Sequence, residues 1–168
     1  MSPKKTGGKG TPATVAATRA GITFTLHPYE TTGDEAHTSY GEAAADALGI
    51  AYDRLFKTLV AEVDGDLTVA VVPVSATLDL KALAAAAGGK RAAMADPVQA
   101  ERVTGYVRGG ISPLGQRKSL PTVVDASASG FPTIYVSAGR RGLQIELTAV
   151  DLVRLTGAGT AVIARART

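Results

Sequence analysis

Residues 54–63 and 67–72 are two apolar runs joined through Asp64-Gly65. An Asp-Gly pair accepts the positive φ angles of a tight two-residue turn, so it favours an antiparallel hairpin between the runs. Whatever fold the chain adopts has to be built around that hairpin, and Lys57 lies inside its first strand. The rest of the core must then be assembled from small side chains. The hydrophobic share is 45%, but alanine and valine dominate it, tryptophan is absent, and the aromatics are five tyrosines and three phenylalanines. That composition over 168 residues suits one compact α/β domain.

Signals along the chain fill in the remaining elements. Residues 1–12 carry Lys4, Lys5 and Lys9 among glycines and prolines with almost no apolar side chain, and read as a flexible basic tail before a single domain over 13–168. Thr11 and Pro12 also have the form of a helix cap and first helical residue, opening a short helix that stops near Gly21. Residues 22–26 alternate as a strand ending at His27-Pro28-Tyr29. A helix is expected over 39–48 with Gly49 behind it, another after the cap Asp79, and a third after Asp96-Pro97, ending at Gly105. Residues 108–116, with three glycines and a proline, read as a shaped loop. Three β-rich segments follow at 122–125, 133–137 and 143–147, then a helix capped by Thr148 and a final strand over 161–164. The sum is a mixed sheet of about seven strands with helices around it.

Several classes of chemistry drop out. Without cysteine there is no disulfide, thiolate metal site or cysteine nucleophile. With His27 and His37 the only histidines, a metal site would have to lean on carboxylates, and no metal or other cofactor is expected. The serine-nucleophile elbow G-x-S-x-G is missing, as are the phosphate-loop and dinucleotide motifs. The polar, lysine-bearing start is unlike a signal peptide, and no apolar run approaches the roughly 20 residues of a membrane span, so a cytoplasmic protein is expected. Charge is lopsided: residues 1–66 carry six bases against nine acids, and residues 67–168 carry twelve against six. A polyanion such as tRNA would be drawn to the second half, although a solvated mixed surface accounts for the charge equally well.

Three places could carry chemistry. The loop Gly109-Gly110-Ile111-Ser112-Pro113-Leu114-Gly115 could aim backbone N–H groups at a carbonyl or phosphate oxygen, although on pattern alone a plain tight turn is the better reading of such a glycine cluster. Lys57 either points to solvent or lines a cleft, where its cation could hold a phosphate or a developing oxyanion. The stretch from Val136 through Ser137 and Gly139 to Arg140-Arg141 is either a solvated β-turn or a serine facing substrate with an arginine near RNA backbone.

Taken together, these segments resemble the YbaK family of aminoacyl-tRNA deacylases, relatives of the editing domain inserted in bacterial prolyl-tRNA synthetase. The likeness is carried by His27-Pro28-Tyr29, Phe56-Lys57-Thr58-Leu59, Pro73 with Leu78-Asp79-Leu80, Met94-Ala95-Asp96-Pro97, Arg102-Val103-Thr104-Gly105-Tyr106-Val107, the glycine loop, and Val136-Ser137-Ala138-Gly139 with Arg141-Gly142-Leu143. The resemblance implies a barrel-like mixed sheet flanked by helices. It implies that Lys57, Gly110, Ile111 and Ser137 serve catalysis, and that Tyr29, His27, Gly109, Ser112, Pro113, Gly139 and Gln144 bind the substrate. The partner it implies is aminoacylated tRNA, together with prolyl-tRNA synthetase as a possible second; no membrane is involved, and oligomeric state is left open.

The chemistry implied for that family is hydrolysis of Cys-tRNA(Pro), with the cysteine's own thiol attacking its ester to leave a cyclic thioester that opens in water. Such an enzyme needs orientation more than a nucleophile, and holding reactants at attack distance can account for about 7–11 kcal/mol of barrier. Gln144 departs from the family, whose members often carry Asp there, which puts rate or amino-acid selectivity in question. Alanine on the same tRNA is the alternative target. A non-catalytic binder of aminoacyl-tRNA or of a synthetase is the alternative from another class, and a general nucleotide-binding protein is the weakest reading.

Overall fold

The computed structural model describes residues 10–31 and 39–167. Within them the order is α1 (Pro12–Ala20), β1 (Thr25–Pro28), α2 (Tyr40–Leu48), β2 (Phe56–Val63), β3 (Asp66–Pro73), β4 (Ala76–Leu78), α3 (Leu80–Ala86), β5 (Ala92–Met94), α4 (Pro97–Thr104), β6 (Thr122–Asp125), a 3-10 turn (Ala126–Gly130), β7 (Ile134–Arg140), β8 (Leu143–Leu147), α5 (Ala149–Thr156), β9 (Gly159–Ala161) and β10 (Ala164–Ala166). Each α-helix starts where a side-chain oxygen can take an orphan N–H: Thr11, Ser39, Asp79, Asp96 and Thr148 each accept from the amide three residues on. Thr11 and Pro12, assigned above to the tail, are therefore the cap and first residue of α1; the remainder of that tail, residues 1–9, lies outside the described residues, as does His37. No helix among the described residues is long and apolar enough to cross a membrane.

The Asp64-Gly65 hairpin forms as its residues dictate. Asp64 (φ 50°) and Gly65 (φ 89°) both take positive φ, and β2 and β3 pair in full register from Phe56–Pro73 to Val63–Asp66. Around this ribbon grows a five-stranded sheet of order β5-β2-β3-β6-β9, in which β6 and β9 join in parallel. A second, antiparallel sheet of order β1-β8-β7 packs against it, and β10 pairs with β4 in a third. Phe56, Val69, Val71 and Val124 from the first sheet meet Val136, Ile145 and Leu147 from the second in the largest core cluster. The opposite face of the five-stranded sheet, with Ala61, Ala70 and Val72, is covered by Leu83 and Ala84 of α3.

The mixed α/β architecture matches expectation, but the barrel does not form. A barrel needs a hydrogen-bonded ladder that returns to its first strand. Among the described residues the two larger sheets are joined by backbone pairing at one isolated parallel bridge, Leu55 to Tyr135, and no sheet closes. The strand count also rises from about seven to ten among the described residues. Two of the additions, β4 and β5, are three residues long, too short for alternation to reveal them. The expected last strand is split into β9 and β10 in different sheets, because the buried Asp125 carboxylate takes the N–H groups of Ile163 and Ala164, both at 2.9 Å, and turns the chain between them.

Candidate active site

The site begins as a gap in a sheet edge. β5 pairs with β2 only across residues 61–63, and β7 meets the chain just before β2 at Leu55 alone. Between these contacts, among the described residues, no strand pairs with residues 56–59 of β2 on the side away from β3. In place of a strand there is a cavity of about 310 Å³. Lys57 and Thr58 form one wall, Ser137 and Gln144 from the other sheet a second, and Gly109 and Ile111 a third, with Tyr40 and Glu101 also lining it.

The glycine loop is held rigidly against this opening. The Arg108 N–H donates to Glu101 Oε2 at 2.8 Å, the Tyr106 hydroxyl donates to the Leu114 carbonyl at 2.6 Å, and the Leu114 N–H donates to Ser112 Oγ at 3.2 Å. Burial pushes the Tyr106 hydroxyl up to about 12, so it keeps the proton this contact needs. Gly110 is required by close approach: a Cβ there would lie 2.7 Å from Arg140 Cα, on a backbone that cannot yield. At the rim the Arg141 guanidinium stacks 4.5 Å from the Tyr40 ring centroid while its Nε donates to the Arg108 carbonyl at 2.8 Å, tying α2 to the loop.

The β7–β8 ribbon breaks register between Ser137 and Arg140. Inside this bulge the Gly139 N–H donates to Ser137 Oγ at 3.1 Å, which occupies the serine as an acceptor and leaves its proton for another group. Lys57 is half-buried, and its ammonium is held below the ordinary lysine range by burial and by the nearby Arg167, with Glu42 pulling the other way. Arg167 and Glu42 are themselves paired at 2.9 Å. A cation partly stripped of water and set beside a hydroxyl and a glycine loop can stabilise negative charge developing on an oxygen.

Of the residues expected at the site, Lys57, Gly109, Ile111, Ser137 and Gln144 are brought to one cavity. Gly110, Ser112 and Pro113 stand behind its wall, buried. Gly139 likewise supports rather than lines it, packed where a Cβ would press on the Tyr106 ring and on Thr11. His27 and Tyr29 are not part of the lining. His27 Nε2 meets Glu146 Oε1 at 2.8 Å, in a network where Thr133 Oγ1 donates to Glu146 Oε2 and Arg54 binds the Thr133 carbonyl. The Glu146 carboxyl is held below its usual range by the Thr133 hydrogen bond, opposed by burial and reinforced by His27. Tyr29 packs with Leu55, Tyr135 and the alanines of α2. Sequence reasoning missed Thr58, Tyr40 and Glu101 as site residues. Thr58 had a signal, its place next to Lys57 in a shared motif; Tyr40 and Glu101 had none, because each reaches the cavity only through the packing of its helix.

The pattern of residues 34–155 matches the model of the aminoacyl-tRNA editing domain. The chain belongs to that family. This editing domain is thus an enzyme of the hydrolase class, of the YbaK type. It is 45% identical over 131 residues, 76% of this chain and 78% of the relative, to EbsC of Enterococcus faecalis, a proposed Cys-tRNA(Pro)/Cys-tRNA(Cys) deacylase. It is 30% identical over 119 residues, 68% of this chain and 71% of the relative, to the multifunctional Ser/Thr-tRNA deacylase ProXp-y of Escherichia coli K12. In fold, the editing domain is similar to the crystal structure of a proposed trans-editing enzyme for prolyl-tRNA synthetase, with a TM-score of 0.78 at 24% identity over 92% of this chain and 95% of that one.

Proposed function

We propose that the protein clears misacylated tRNA in trans, with Cys-tRNA(Pro) as its principal substrate, and that the sulfur of the cysteine cleaves its own ester. What supports this reading is a cavity equipped to stabilise charge but not to attack. Among the described residues its lining includes no histidine, and the chain has no cysteine. Glu101, the carboxylate of the wall, is already engaged by the Arg108 N–H. Among the described residues that leaves Ser137 without a histidine–carboxylate pair to make it a nucleophile.

In the proposed step the thiol sulfur bonds to the ester carbonyl carbon, the bond from that carbon to the ribose oxygen breaks, and the thiol proton ends on the ribose oxygen. The resulting cyclic thioester opens by hydrolysis to free cysteine. Lys57, the Ser137 hydroxyl and the N–H groups of Gly109 and Ile111 stabilise the oxyanion, and the pinned loop holds the ester in the attack geometry. The exposed cations Arg102, Arg108, Arg117, Lys118, Arg140 and Arg141 flank the loop and take the acceptor-stem phosphates. Prolyl-tRNA synthetase, as the source of the mischarged tRNA, is the proposed functional partner, and the cytoplasm the proposed location.

Deacylation of cysteine-, alanine- and proline-charged tRNA(Pro) by purified protein, with Lys57→Ala alongside, tests the reading. Cysteine should be released fastest and proline spared, and Lys57→Ala should lose turnover far more than tRNA affinity. Release of alanine as fast as cysteine would refute the thiol-assisted route.

A further inference from the structure

Side chains alternate between the two faces of a strand, so a cavity lying against one face takes every second residue. All six residues from Leu55 to Val60 line this cavity, which therefore runs along the edge of β2, where backbone groups point. In an antiparallel ribbon the N–H and C=O of one residue point to the same side, and successive residues alternate. The Leu55 carbonyl accepts from the Val74 N–H at 2.8 Å on the β3 side, and β2 and β3 stay in register. Lys57 and Leu59 consequently point their backbone groups to β3, and Thr58 points its own into the gap. Both ends of the gap are closed: the Ala95 N–H donates to the Val60 carbonyl at 3.1 Å, and the Tyr135 N–H to the Arg54 carbonyl at 3.2 Å. Between them, among the described residues, no strand takes the N–H and C=O of Thr58. Thr58 Oγ1 and, across the cavity, Gln144 Oε1 are also buried without a partner.

An open edge is a template for one more strand, and main-chain hydrogen bonds recognise a backbone whatever side chain it carries. An aminoacyl ester is one residue with one donor, its α-amino group, and one acceptor, its ester carbonyl. We propose that the aminoacyl group docks on this edge as a one-residue antiparallel strand, the Thr58 carbonyl accepting from its α-amino group and the Thr58 N–H donating to its ester carbonyl oxygen. This inference rests on the deacylase reading of the same cavity. The antiparallel sense turns the ester toward the β7 wall that carries Ser137 and the nitrogen toward Ala95, which already holds Val60. An acyl chain on that nitrogen meets Ala95. The substrate class is thus the free aminoacyl ester, to the exclusion of N-acylated and peptidyl esters.

The test is titration calorimetry of wild type with three non-cleavable amides, 3′-alanylamino-, 3′-propionylamino- and 3′-(N-acetylalanyl)amino-adenosine, the second lacking only the α-amino group. The alanyl amide should bind about 10-fold or more tighter than either of the others, since losing the amino group strands the Thr58 carbonyl. Equal affinities would overturn the proposal. Thr58→Pro replaces the N–H with a ring carbon on an edge that no strand uses, and should abolish the advantage; Thr58→Val keeps the backbone groups and should retain it. The reverse result in either variant counts against docking on this edge, as does loss of the advantage in Glu101→Gln, which would assign the amino group to the carboxylate of the wall. If Thr58→Pro does not fold, the wild-type series still decides. Binding needs no turnover, so the deacylase reading fails separately, if wild type cleaves no aminoacyl-tRNA.

Discussion

Two cavities among the described residues are of similar size and differ in chemistry. One, about 380 Å³, lies between β6, the 3-10 turn and α5, lined by Val124, Ala128, Val150 and Val153 with Asp125 at one side. The other, about 310 Å³, is the gap at the β2 edge. Asp125 is buried yet fully engaged, accepting from the Ser127 N–H and hydroxyl and from the Ile163 and Ala164 amides. Gln144 is equally buried and its carbonyl meets nothing. A cavity whose polar groups are satisfied by the protein is structure. One whose polar groups wait is a site, and volume does not separate the two.

That contrast can be broken most forcefully by exchanging the effects of the two regions. Lys57→Ala should lower turnover by on the order of 10²–10³, the usual result of deleting an oxyanion-stabilising group, with little change in Tm; a loss below tenfold would remove Lys57 from the chemistry. Asp125→Ala should do the reverse, lowering stability in a urea titration by about 3 kcal/mol, since several amides lose a buried acceptor, while turnover per folded molecule is kept. Gly110→Ala falls between them. Its new Cβ must displace the loop from Arg140, and displacement by about 1 Å is enough to cost up to 10²-fold in rate without unfolding the protein.

Two smaller effects sharpen the comparison through pH. Burial pushes the Asp125 carboxyl up, but its hydrogen bonds from Ser127, Ile163 and Ala164 outweigh that and hold it below the ordinary range. Its contribution is therefore complete above the unfolded value, about 3.9, and is lost as pH falls through the lower folded value. Asp125→Asn should flatten this acid limb in urea titrations at stepped pH. At the other cavity the depressed Lys57 ammonium should give turnover an alkaline limb below that of an ordinary lysine. Arg167→Ala should move that limb up and Glu42→Gln should move it down, following the sign of each charge. A limb that ignores both changes would mean that another group controls it.

Much of this could be read along the chain. The hairpin, the caps Ser39, Asp79, Asp96 and Thr148, and the glycine loop all declare themselves within a few residues of sequence, because turn geometry and N–H capping are local requirements. Lys57, Ile111, Ser137 and Gln144 were legible as a set through shared motifs. His27 and Tyr29 were grouped with them by the same route, and the structure leaves both outside the lining: a motif marks a segment, while side-chain direction within it depends on which neighbour the strand meets. The same blindness concerns Asp125, two of whose partners, Ile163 and Ala164, lie nearly forty residues on.

What the chain determines by itself is thus the inventory of elements and the chemistry available to them, since periodicity, capping and composition act over one or two turns. Tertiary structure decided the rest: that the sheets face each other without closing, that β5 stops short, and that Thr58 and Gln144 end up unpaired in the same space. Those outcomes depend on strand pairing and packing between residues far apart in sequence, where no local preference of either partner specifies the meeting.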